Sequence, residues 1–302
     1  MIKGIGPVFI KRNLARISNS KSCEELLREI NPDKLDNIVN YKDKAEGIIS
    51  DCDNNGIKII SILDNNYPNR LLEISDPPSL LFIKGNYKII KNVVAVIGTR
   101  HSTELGNRIA ERVGSYFSEK YAICNGLVEG IDEHSVYPNG HIVNNAVGVI
   151  SGGLMYNETC SAKHIEMIDN VLNAGGLIVS EFLPRQKEDK FSGIKASRIQ
   201  AGLSKGLILV QSSVSGGSKY TMSAFSKLNR TVGVINFETS DEYKRDDSFG
   251  ANRLIAQKGI QGVAEFIGIK SISSVKLKSV ISINNNNDYS TFENSMEKMS
   301  II

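Results

Sequence analysis

The feature that most constrains this chain is a repeated alternation of short apolar runs with helical segments. The runs are VAVI (94–97), YAICNG (121–126), AVGVIS (146–151), LIVSE (177–181), LILVQ (207–211) and TVGVI (231–235). Each is about a strand long, and the segments between them carry helical periodicity. Residues 161–174, for instance, place Ile165, Ile168 and Leu172 on one face and stop at Gly175. Continuous apolar strands alternating with helices imply an α/β fold whose doubly wound, mostly parallel sheet is covered on both faces. Ligands of such sheets sit beyond the carboxyl ends of the strands. Glycines gather there: Gly126 and Gly130, Gly152 and Gly153, Gly216 and Gly217.

The sharpest of these junctions is residues 94–106, VAVIGTRHSTELG. An apolar strand ends at Gly98, and Leu105, Ile109, Val113 and Phe117 then recur at fourfold spacing as one face of a helix. Ser102 is placed to cap it. Amides at a helix start lack intrahelical partners and favour anions, so the turn suits a phosphate. Gly98 would let the backbone approach, with Thr99 in the same turn; Ser102 supplies a hydroxyl and Arg100 a planar fork for two phosphate oxygens. The spacing fits neither GxGxxG nor GxxxxGK[ST], which argues against a nicotinamide cofactor and against ATP chemistry here.

Composition sets the remaining bounds. With 302 residues, 41% of them hydrophobic, the chain can bury a large core plus a small appendage. A net charge of +3 permits an anionic partner without requiring one. Cys23, Cys52, Cys124 and Cys160 form no CxxC pair, so neither a zinc site nor a disulfide framework is expected. The four histidines, His101, His134, His141 and His164, fall on different elements without metal spacing and read as surface or loop residues. No apolar run approaches the roughly 20 residues of a membrane helix, and the N-terminus lacks a signal-peptide core. A cytoplasmic protein with no membrane association is expected.

Three regions are expected. Residues 1–55 read as a small unit of short helices. Within it, Gly4-Ile5-Gly6-Pro7 has the look of half a helix-hairpin-helix but reads better as a plain helix start. Residues 56–270 carry the sheet. Residues 271–302, with Asn284 to Asn287 in a row, are expected to be a largely disordered polar tail, with at most a short terminal helix.

The order of these marks resembles the DNA-processing protein A (DprA/Smf) family over roughly residues 56–268. The resemblance rests on Tyr67-Pro68, Leu71, Asp76 to Pro78 and Gly85; VIGTR (96–100) with Ser102 and Gly106; and NGLVEGID (125–132). It continues through LIVSEF (177–182), GGSKYT (216–221) and FGANRLIAQKG (249–259). It implies an extended Rossmann fold that binds single-stranded DNA at the sheet's carboxyl edge, delivers it to a RecA-type recombinase and forms a homodimer. Amides at Gly98, Gly126, Gly130 and Gly217, with Gly216 beside them, would then meet successive phosphates. Hydroxyls would come from Ser102, Ser218 and Thr221, and cations from Arg100, Lys195, Arg198 and Lys219. Asp132 is read as structural, either a helix cap or a holder of an arginine.

The chain departs from the family pattern in several places. Ala196-Ser197-Arg198 stands where the family has an asparagine between two arginines, Val136 where it has a histidine, and Gln211 where it has a glutamate. Of its GLD and YP elements only Gly153-Leu154 remains, and the tail is too short and polar for the family's winged-helix C-terminus. Catalysis is not expected, for no GxSxG turn occurs and no glutamate follows the glycines at 216–217 as a nucleotide N-glycosidase would need. A nucleotide sensor using the same pocket stays open as an alternative.

Overall fold

The structure, a computed structural model, describes residues 5–30 and 37–297. Helices α1 (Pro7–Arg12), α2 (Leu14–Asn19), α3 (Cys23–Ile30) and α4 (Ile38–Asn54) come first. Pro7 occupies the first turn of α1, where its missing N–H costs nothing; Gly4, the start of the hairpin-like motif, lies outside the described residues. Strands β1 (Lys58–Ser61), β2 (Leu80–Gly85) and β3 (Val93–Gly98) lead to α5 (Glu104–Phe117) and β4 (Ala122–Asn125). Then follow α6 (Ile131–Val136), β5 (Ala146–Val149), α7 (Tyr156–Thr159), α8 (Ala162–Asn173), β6 (Leu177–Ser180), α9 (Ser192–Leu203) and β7 (Gly206–Gln211). The last elements are α10 (Lys219–Phe225), β8 (Thr231–Ile235), α11 (Asp241–Arg245), α12 (Gly250–Lys258), α13 (Ile260–Phe266), β9 (Ser279–Ile283) and α14 (Asn287–Glu297).

Among the described residues, nine strands form one sheet in the order β1-β2-β6-β5-β4-β3-β7-β8-β9. From β6 to β9 every pairing is parallel, whereas β2 runs antiparallel to both β1 and β6. The chain winds outward from β3 through β4, β5 and β6, then returns to the other side of β3 with β7. The β3–β7 boundary is therefore a topological switch point, where crevices open above the strand ends. Alternate residues of β3 feed the two cores. Val93, Ala95 and Ile97 pack with residues of α9, α10, α12 and α13, and Val94 and Val96 pack with residues of α5, α6, α8 and α14. The predicted face of α5, Leu105, Ile109, Val113 and Phe117, is buried throughout.

The segment after residue 270 corrects the expectation of disorder. β9 extends the sheet by pairing in parallel with the whole of β8, from Thr231 opposite Ser279 to Ile235 opposite Ile283. α14 buries Tyr289 and Phe292, with the Phe292 ring edge-on to Phe117 at 5.7 Å. Two glycines make the space: a Cβ at Gly206 or Gly233 would lie 2.8 or 3.1 Å from the Phe292 ring. The asparagine run is the turn between the two elements, and the Asp288 carboxylate accepts from the amides of Asn284 and Asn285. Polar composition hid a segment held by a few apolar anchors. Arg185 ties the N-terminal helices to the sheet region, pairing with Asp51 of α4 and with Glu158. Among the described residues, no helix is long and apolar enough to cross a membrane.

Candidate nucleic-acid interface

A cleft of about 510 Å³ opens above the carboxyl ends of β3, β4 and β5, flanked by the starts of α9 and α10. The structure brings Gly98, Thr99, Arg100, Gly126, Gly216, Gly217, Ser218 and Thr221 together in its walls. Lys190, Ser197, Gln200, Ser151, Asp132 and Tyr220 share that lining. The turn after β3 is pinned on both sides: the Thr99 amide donates to the Gln211 carbonyl at 2.8 Å, and the Ile131 amide to the Thr99 carbonyl at 3.2 Å. Arg100 rides on that turn, exposed, and forms no ion pair among the described residues. An unpaired guanidinium over a switch point is a ready anion anchor.

Several glycines serve the fold rather than a ligand. At Gly98 a Cβ would meet the Ile131 side chain at 2.4 Å, so the space left there admits Ile131 and not a phosphate. Gly130, at φ +81°, lets α6 start against the Thr99 and Arg100 carbonyls, each 2.5 Å from where a Cβ would be. Gly216 gives room to the Ser212 hydroxyl, 2.3 Å from its would-be Cβ. Only Gly217 among the proposed glycines faces open space.

The helix cap also differs from expectation. Thr103, not Ser102, accepts from the Gly106 amide at 3.1 Å. Ser102 instead donates to the Asn107 side chain. Gln211 completes the arrangement: its Oε1 accepts from the Thr103 amide at 3.0 Å, and its Nε2 donates to the hydroxyls of Thr103 and Ser248. Buried in full, this amide fastens the start of α5 to β7.

The cations divide sharply. Arg198 lies below the rim, its side chain 14% exposed, with Nη1 and Nη2 forking onto Glu181 at 2.7 and 2.6 Å and Nε on Asp76 at 2.8 Å. Burial works against its charge, but the two carboxylates outweigh it and hold its pKa above the ordinary value. It is a clamp between the residue 76 loop, β6 and α9, and so is withdrawn from the anion set. Lys195 is exposed outside the cleft lining, 5.7 Å above the Phe182 ring. Lys219 likewise stays outside, over the Tyr220 ring at 5.5 Å. Sequence reasoning missed Lys190, which lines the cleft without an ion pair among the described residues and covers Phe191 at 4.9 Å. It also missed Tyr220, a cleft residue 43% exposed. An exposed aromatic beside a glycine-serine run was the available signal.

The proposed hydroxyls are engaged internally. Ser218 donates to Ser212 at 2.6 Å, and Thr221 lies 3.4 Å from Gln200 Oε1. The Gly126 amide is engaged too, donating to Asp132 Oδ2 at 2.9 Å. Asp132 thus closes its own turn, where a cap or an arginine partner was expected. Burial raises its pKa to about 7, against the pull of the Gly126 and Val128 amides and of Arg100. His164 is half-buried on α8: it sits below this turn with Nε2 3.2 Å from the Gly126 carbonyl, and burial lowers its pKa. His134 is likewise engaged, with Nδ1 2.9 Å from Glu111. Among the described residues, no cluster of histidine, cysteine and carboxylate side chains could hold a metal ion.

This turn-by-turn pattern has a match. A family model described as DNA recombination-mediator protein A covers residues 58–268, the sheet and cleft together. The chain belongs to that family. DNA processing protein DprA of Bacillus subtilis is 27% identical over 209 residues, 68% of this chain and 69% of that protein. Its counterpart from Streptococcus pneumoniae is 32% identical over 179 residues, 58% of this chain and 61% of that one. The matches therefore span between three-fifths and seven-tenths of these two relatives. The X-ray structure of Streptococcus pneumoniae DNA processing protein A superposes with a TM-score of 0.63 at 24% identity, covering 93% of this chain and 86% of that one. DNA processing protein A from Helicobacter pylori, solved for its unique single-stranded DNA binding mode, gives 0.57 at 21% identity, over 70% and 94%. Both likenesses place this mediator-family fold as the extended Rossmann sheet anticipated from the motifs.

Proposed function

We propose that this chain is a single-stranded DNA-binding mediator of the DprA type, working without a chemical step of its own. The observation that carries the reading is Arg100, a guanidinium without an ion pair among the described residues, at the β3–β7 switch point and facing a cleft that also holds Lys190, the open Gly217 and the exposed Tyr220. Two cations anchor phosphates while the tyrosine ring offers a base a stacking surface, the combination that single strands present and duplexes conceal. Residues 56–270 form the binding body in this reading, with the N-terminal helices as an appendage. Family membership adds two expectations, homodimerisation and hand-over of the strand to a RecA-type recombinase.

Fluorescence anisotropy with a labelled thymidine 20-mer tests the reading. Submicromolar, salt-sensitive binding is expected, weaker for duplex of the same length. Arg100→Ala with Lys190→Ala should weaken it and flatten the dependence of log K on log salt by about 0.7 for each phosphate that is no longer neutralised. Absence of binding at low salt refutes the proposal. Thermal stabilisation by a mononucleotide, without binding of the 20-mer, would point to a sensor instead.

A further inference from the structure

The residue that distinguishes this cleft from a simple cationic trough is a carboxylate. Asp132 lines it at 8% exposure, and its Oδ2 already holds the Gly126 amide. That is the amide a strand-to-helix turn would otherwise offer to an incoming oxyanion. We propose that Asp132 is the cleft's resident counter-anion, and that seating a DNA phosphate beside Arg100 is accompanied by uptake of one solvent proton on this carboxylate.

The argument rests on what surrounds the group. From the β3–α5 turn comes Arg100, whose positive charge favours the ionised carboxylate. From α8 comes His164, its pKa lowered by burial, turned to the Gly126 carbonyl. From α9 comes Gln200, uncharged, its Nε2 beside Gly126. From β4 comes the buried Cys124 thiol, pushed up to about 12 by burial. Lys190 shares the cleft, and Glu129 and Glu133 lie on the turn and helix that carry Asp132 itself. Arg100 is thus a positive charge that holds Asp132 toward its ionised form. A phosphate that claims Arg100 removes this support and adds a negative charge nearby, and both effects drive the carboxyl toward its neutral form. Because Asp132 sits near neutrality before DNA arrives, the change falls within the physiological range.

The inference rests on the DNA-binding reading, and its test separates the two. Affinity for the thymidine 20-mer is measured from pH 6.0 to 8.5 at constant ionic strength; thymine and the phosphodiester do not titrate there. Affinity should fall with rising pH, approaching tenfold per unit above neutrality for one linked proton. Calorimetry on the unaltered protein in two buffers of different ionisation enthalpy should show net proton uptake on binding. Asp132→Asn keeps an acceptor for the Gly126 amide and should bind more tightly at pH 8, with the slope abolished. His164→Asn should keep the slope. Binding that is flat with pH, shows no proton uptake, or loses its slope only on His164→Asn overturns the inference while leaving the DNA reading intact. Absence of DNA binding at every pH overturns both.

Discussion

Arg198 gives the clearest separation between architecture and binding, because the sequence placed it on DNA and the structure places it on two carboxylates. Replacing it with alanine would strand Glu181, whose side chain is 11% exposed and accepts both guanidinium nitrogens. The Asp76 contact is 41% exposed on its acid side and contributes little. Breaking a buried pair by removing one partner costs about 3–5 kcal/mol, and partial exposure puts this one near the lower bound, about 3 kcal/mol. With a urea slope of about 3 kcal/mol/M, the unfolding midpoint should fall by about 1 M. Arg198→Ala with Glu181→Gln should recover much of the loss, since no uncompensated charge then remains. Affinity for single-stranded DNA, measured where the variant is folded, should change less than threefold. A variant of unaltered stability that loses tenfold or more in DNA affinity would refute the clamp and return Arg198 to the binding surface.

The other expectations are briefer. Gly130→Ala forces a Cβ within 2.5 Å of two carbonyl oxygens at φ +81°, so a loss of at least about 1–3 kcal/mol is expected by denaturation, with weaker DNA binding as the Arg100 turn shifts. Phe292→Ala should cost about 3–5 kcal/mol, since it empties the site framed by Gly206, Gly233 and Phe117; a neutral result would mean that α14 does not pack there. Asp132 has a folded pKa of about 7 against an ordinary 3.8, so the native state binds its proton more tightly. Its contribution is therefore most favourable below about pH 4 and is lost as pH rises toward 7. Asp132→Asn should accordingly raise stability at pH 8 by up to about 4 kcal/mol and have no such effect at pH 4, as pH-dependent melting will show. Tyr220→Ala should cost about 1–3 kcal/mol of single-strand affinity while Tyr220→Phe leaves it unchanged; equal losses would exclude stacking.

The strands and the α5 face were legible because their signals are local: runs such as VAVI, and four apolar residues at fourfold spacing. The carboxyl-edge location of the cleft followed from the alternation itself. What eluded the sequence depends on contacts between distant residues. Arg198 looks like a free cation until Asp76, 122 positions away, folds against it. Gly98 looks like an opening for a ligand until Ile131 fills it. Asp132 appears as one acid among several, and only burial reveals its claim on the Gly126 amide. The asparagine-rich stretch misled because composition averages over residues, whereas docking is carried by a few of them, Tyr289 and Phe292 against the two strand glycines and the buried Glu293 that accepts from Tyr116.

The position of β9 in the chain has a consequence for biosynthesis. Its partner β8 ends at Ile235, yet the hydrogen-bonding edge of β8 stays bare until residues 279–283 have left the ribosome. At about 5–20 residues per second, the intervening stretch takes several seconds to translate. During that interval a nascent chain displays an apolar, unpaired border to its neighbours on the same message. Slow codons or stalling in this stretch would prolong the exposure and favour co-translational aggregation.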